Sequence, residues 1–113
     1  MMLLTKADKR ALPPLYSQED NPDPLAVVKF FTPDSSWTWY ATEGEPVDED
    51  GFPTRETGKP QADFLFFGLV DGHEKEIGYF ALSDLASVRG KLGIGIERDR
   101  WFTPAPLSTL KDA

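Results

Sequence analysis

Apolar and polar positions are patterned most clearly in residues 63–82, DFLFFGLVDGHEKEIGYFAL, where two aromatic-rich runs flank the polar turn Asp71-Gly72-His73-Glu74. A glycine-containing polar gap between two strand-favouring runs predicts a β-hairpin. Its first strand, 63–70, is apolar on both sides, Phe64 and Phe66 alternating with Leu65, Phe67 and Leu69. A strand of that kind is covered on both faces, which places it in the middle of a sheet. In the second strand, 76–81, Ile77 and Tyr79 share one side and Phe80 takes the other. Gly78 leaves a flat spot there for another segment to come close.

The same period recurs upstream. Residues 25–32, LAVVKFFT, have the bias of a strand, and Pro33-Asp34-Ser35-Ser36 supplies a turn. In 36–42, SWTWYAT, the residues Trp37, Trp39 and Ala41 fall on one side, expected to face the core, with Thr38, Tyr40 and Thr42 on the other. These two segments form a second hairpin. A last strand is predicted over 96–102, with Ile96, Arg98, Arg100 and Phe102 opposite Glu97, Asp99 and Trp101.

Two short helices complete the pattern. Thr5 is placed to cap a helix over 5–12 that Pro13-Pro14 ends, and Leu4, Leu12, Leu15 and Tyr16 offer it a buried face. Ser83 caps a helix over 83–89, with Asp84 in the first turn, Gly90 at the end, and Leu85 and Val88 packed on the sheet. Residues 17–24 and the glycine-interleaved 92–96 read as connections. The segment 103–113 reads as a proline-broken tail, with Leu107 and Leu110 laid back on the body. Between the two hairpins, 43–62 is a long acidic loop with three prolines and three glycines, in which Phe52 is the one large apolar residue. The expectation is a single domain over 1–113 of the α+β class: a mainly antiparallel sheet of four to five strands with two short helices packed on one face.

Composition narrows the function. The chain has 113 residues, 40% of them hydrophobic and 12% aromatic, enough apolar material for a core. Its formal charge of −7 disfavours nucleic acid, whose binding rests on Lys and Arg releasing counterions, and suits a protein partner with a basic surface. Cysteine is absent, which removes disulfides and thiol chemistry. No run approaches the roughly 20 apolar residues of a membrane span, and the first residues lack the pattern of a secretory signal. A cytoplasmic location is expected, and no cofactor is predicted.

Candidate chemistry is sparse. The sole histidine, His73, lies in the predicted hairpin turn, so relays between imidazoles are excluded. The acidic run Glu45, Asp48, Glu49 and Asp50 lacks the spacing of a calcium loop and is broken by Pro46. Glu97-Arg98-Asp99-Arg100 lies between apolar Ile96 and Trp101, so its charges need partners. One reading is a structural network tying the last strand to acidic residues near Glu43 or Glu76. The other is a catalytic set of Glu43, Glu97 and Asp99, with Arg98 and Arg100 as an anion clamp and Glu43, Glu76 and Asp99 as candidate metal ligands. Trp37, Trp39, Tyr40, Phe64, Phe66 and Phe67 are assigned to packing rather than base stacking, because their flanks are acidic.

The stretches TWYATEGEP, FFGLVDG, EIGYFALSDL and GIERDRWFTPAPLSTL resemble, in order, a small bacterial family known as domain of unknown function 2958. The resemblance covers most of the chain, while the segment around Asp48 to Lys59 looks atypical of it. It implies a mobile-element setting, on plasmids and integrative elements near conjugation or antirestriction genes, and brings no reaction with it. The leading expectation is an accessory protein that acts through a protein partner, antirestriction-like in its sharper form. The alternative is a carboxylate-based, metal-dependent hydrolase acting on nucleic acid or a nucleotide.

Overall fold

The longest strand, β3 (Thr38–Val47), is the axis of the molecule, and its neighbours follow from its register. A computed structural model describes residues 3–111. In chain order the elements are α1 (Lys6–Ala11), β1 (Leu25–Ala26), β2 (Val28–Phe31), β3, α2 (Thr54–Thr57), β4 (Asp63–Asp71), β5 (Lys75–Ala81), α3 (Leu82–Ser87), β6 (Glu97–Arg98), β7 (Ala105–Pro106) and α4 (Leu107–Lys111). Five strands form an antiparallel sheet in the order β5-β4-β3-β2-β6, and β1 and β7 pair as a small second sheet. This is an α+β fold. Both predicted hairpins are present, β2 with β3 from Phe31↔Thr38 to Val28↔Ala41 and β4 with β5 from Asp71↔Lys75 to Leu65↔Ala81.

Each face of the large sheet buries its own set of side chains. On the first, Val28, Phe30, Trp39, Ala41, Phe64, Phe66 and Phe80 pack under Leu4 and Leu12, which flank α1, and under Leu85 of α3. The tryptophan side therefore does face the core, and both predicted helices lie on that face. On the second, Leu69 packs with Ala26 and with Leu107 of α4, joined by Tyr40, Phe102 and Leu110. The apolar pattern of β4 on both sides is explained by these two layers. At Gly68 a Cβ would run into the Tyr40 carbonyl oxygen, so β3 and β4 need glycine there to meet.

Several expectations are corrected. The middle strand is β3 rather than β4. The acidic loop begins at Asp48, because Glu43–Val47 continue β3. Ser83 does not cap α3: Ala81 holds the N-cap position, Asp84 accepts the Ala81 N–H, and Ser83 donates its N–H and hydroxyl to Asp63. The last strand stops after Arg98, where Asp99 turns the chain by accepting the Trp101 N–H at 2.9 Å. The tail carries β7 and α4, because Asp23 takes both the N–H and the hydroxyl of Ser108 and fixes the start of α4. Residues 112–113 of the predicted tail lie outside the described residues.

Candidate functional site

A β-bulge builds the site. Strict alternation after Trp39 and Ala41 would send Glu43 and Glu45 into the aromatic core. Instead the register against β4 shifts between Ala41 and Glu43, so that Thr42 is the extra residue and Glu43 lies opposite Phe67. From there Glu43 and Glu45 lie on the second face, while Gly44 takes the first, where Phe64, Phe66 and Leu12 leave no room for a Cβ. The Thr42 hydroxyl donates to the Phe67 carbonyl at 3.0 Å and fixes the bulge.

The displaced carboxylates hold the segment after α1. Glu43, 3% exposed, accepts the backbone N–H of Tyr16 at 2.9 Å and of Gln18 at 2.8 Å. Glu45 accepts the Leu15 N–H at 3.0 Å and pairs with Arg55 at 2.7 Å, and Arg55 reaches the Leu15 carbonyl. This grip keeps Tyr16 at φ 71°, a left-handed conformation unusual outside glycine. Its side chain is thereby presented beside β5.

There Tyr16, Phe67, Ile77, Tyr79 and Leu107 line a cleft of about 320 Å³ on the second face, with Thr42 and Glu43 inside and Glu19 and Lys111 at the sides. Tyr79 packs edge-on against Phe67 and against Tyr16. Burial pushes the Tyr79 phenol above its ordinary value, and neighbouring Tyr16, Glu43 and Glu19 push it the same way. The cleft is an aromatic surface that carries two carboxylates, Glu19 and Glu43, and one ammonium group, Lys111. Its one buried carboxylate already serves two backbone donors.

The other candidates stand elsewhere. Glu97 and Arg98 lie on β6 at the far edge of the sheet, where Arg98 pairs with Asp8 of α1 at 3.3 Å. Asp99 pairs with Lys29 of β2 at 3.5 Å. The network expected between the last strand and Glu43 or Glu76 is therefore corrected to partners in α1 and β2. Arg100 is exposed beside Trp101, and Glu76 is exposed on β5. Glu43 is thus separated from Glu97 and Asp99 by the width of β2. No three His, Asp or Glu side chains among the described residues are placed to hold one metal ion. The acidic loop folds around Asp48, 2% exposed, whose carboxylate accepts the N–H groups of Asp50 and Phe52. Phe52 itself is exposed.

The cleft residues Tyr16, Thr42, Ile77, Tyr79 and Leu107 were not expected to act together. The signal was faint: Ile77 and Tyr79 share one side of β5, and nothing in the pattern showed that this side would stay open.

A family model described as a protein of unknown function, DUF2958, matches residues 2–113, and the chain belongs to that family. No curated protein and no solved structure matches the chain significantly. Among the described residues no helix is long and apolar enough to cross a membrane.

Proposed function

We propose that this member of the DUF2958 family is an accessory interaction protein, and that its aromatic cleft receives a segment of a protein partner with a basic surface. The observation that carries the reading is a contiguous set of exposed apolar side chains, Tyr16 at 40%, Ile77 at 44% and Tyr79 at 53%, gathered around one cavity. Exposed apolar surface grouped in this way marks contact sites, and tyrosine is favoured in them because it gives large area for little side-chain entropy. Glu19 and Glu43 outnumber Lys111 along the cleft, and the chain as a whole carries a formal charge of −7. A basic partner would be steered toward it. A DNA-handling protein of a mobile element, with a basic groove, is the partner class that fits both the charge and the family setting.

The hydrolase reading draws less support. It needs carboxylates facing one substrate, and Glu43 on β3 and Glu97 and Asp99 at and beyond β6 line separate cavities.

Affinity capture from a native host lysate tests the proposal, with unmodified chain beside Ile77→Asp and Tyr79→Asp as baits. The expected result is one partner at near-stoichiometric yield on the unmodified bait, lost on both variants and at high salt. Recovery of no specific partner, or equal recovery on all three baits, would contradict it.

A further inference from the structure

The two edges of the large sheet are finished differently. At one edge β6 is two residues long, carries Glu97 and Arg98, and turns away at Asp99. Short, charged and interrupted edges discourage strand pairing. At the other, β5 runs for seven residues in unbroken register against β4, without proline or bulge, and its outer side pairs with no strand among the described residues. Its two charges, Lys75 and Glu76, are adjacent and of opposite sign.

We infer that β5 pairs antiparallel with β5 of a second copy of this chain, about a two-fold axis at Gly78. The second-face residues of β5 are complementary to themselves in that register. Gly78 lies opposite Gly78 of the second copy, and Ile77 lies opposite the second copy's Tyr79, with the reciprocal pair on the other side of the axis. Both pairs sit on the second face, where Ile77 and Tyr79 are otherwise exposed, and a β-branched residue opposite an aromatic is a favourable cross-strand pair. On the first face Glu76 lies opposite the second copy's Phe80. The two copies of Glu76 are four residues out of register, about 14 Å apart, beyond the roughly 8 Å screening length at physiological salt. A foreign strand would find the same backbone edge without these reciprocal pairs. The symmetry is isologous and closes at two copies.

The pairing has a consequence for the cleft. A two-fold axis perpendicular to the sheet keeps both second faces on one side, so two clefts lie beside a shared rim of Ile77 and Tyr79 from both copies. The dimer presents one double site.

The lack of cysteine allows a direct test. A Cβ at Gly78 meets nothing within 4 Å, so Gly78→Cys fits the fold. At the axis the two Cα atoms stand about 4.5–5.5 Å apart, inside the range of a disulfide. Glu76→Cys, on the same face, is the control. Under mild oxidation, with far-UV circular dichroism confirming the fold, Gly78→Cys is expected to form covalent dimer at least about tenfold faster than Glu76→Cys, a cutoff well below the difference expected from distance. Equal rates, or no dimer from Gly78→Cys, would overturn the inference. Sedimentation equilibrium of the unmodified chain gives an independent reading: a monomer–dimer equilibrium that tightens with added salt, as screening relieves repulsion between two chains of charge −7, and that Ile77→Lys weakens at least about tenfold. A monomer at every concentration, including the case in which β5 serves a foreign strand, would overturn it.

Discussion

Glu43 accepts the backbone N–H of Tyr16 at 2.9 Å, and Tyr16 is the described non-glycine residue with positive φ. The buried carboxylate and the strained backbone are therefore parts of one device that sets the wall of the cleft. Removing the carboxylate leaves the N–H groups of Tyr16 and Gln18 without their acceptor. Glu43→Ala is expected to cost about 2–4 kcal/mol in urea unfolding, since a hydrogen bond to a charged group contributes about 1.5–3 kcal/mol and the two share one carboxylate. Glu43→Gln, which keeps one acceptor oxygen, should lose less. Equal stability of Glu43→Ala and the unmodified chain would show that the grip on residues 16–18 carries no energy.

Glycines 68 and 78 face one another across β4 and β5 yet should respond oppositely. Gly68→Ala drives a methyl group into the Tyr40 carbonyl and is expected to destabilise by about 2 kcal/mol or more, in the range of overpacked cores. Gly78→Ala meets open space and should stay within about 0.5 kcal/mol of the unmodified chain, as surface changes do. Thermal melts of the two variants side by side decide this.

Much of this frame is legible in the sequence, and what is hidden has an identifiable cause. The hairpins, the α+β class and the inward tryptophans follow from period-two alternation and turn residues. The second half of β3 does not, because the bulge at Thr42 breaks the period and leaves Glu43 and Glu45 looking like loop residues. The cleft was hidden for the same reason, since it needs the bulge, the turn of Tyr16 and α4 at once. The partners of Arg98 and Asp99 were missed because each is a long-range contact, to Asp8 and to Lys29, that local pattern does not encode.

Two aspartates make stability depend on acid. The Ser108 hydroxyl and N–H hold Asp23 below the ordinary carboxylate range. At Asp48 burial is the largest single influence and pushes upward, but the N–H of Phe52, the Thr57 hydroxyl, the N–H of Asp50 and the charge of Lys59 together bring it below that range. A depressed carboxylate contributes stability that is present above its unfolded value, about pH 4, and lost as pH falls through its folded value. The melting temperature should therefore fall below about pH 4, and the Asp23→Asn, Asp48→Asn double variant should show a shallower fall over the same interval. Parallel profiles would contradict this assignment.

The cleft also has a spectroscopic signature. Of the three tyrosines, Tyr79 is held above its ordinary ionisation range by burial and by negative neighbours. An ultraviolet titration of phenolate should show a late alkaline step that Tyr79→Phe removes. Persistence of that step in the variant would place the late-titrating phenol elsewhere.

The central claim is that a basic protein partner docks in this cleft, and its most direct measurement is the affinity of the captured partner for the unmodified chain and for Tyr79→Ala across a range of salt. The account predicts binding that weakens steeply as salt rises and that falls at least about tenfold in Tyr79→Ala, the loss of about 1.4 kcal/mol or more expected at an aromatic anchor. Binding that ignores salt, or that is unchanged by the loss of the Tyr79 ring, would contradict it.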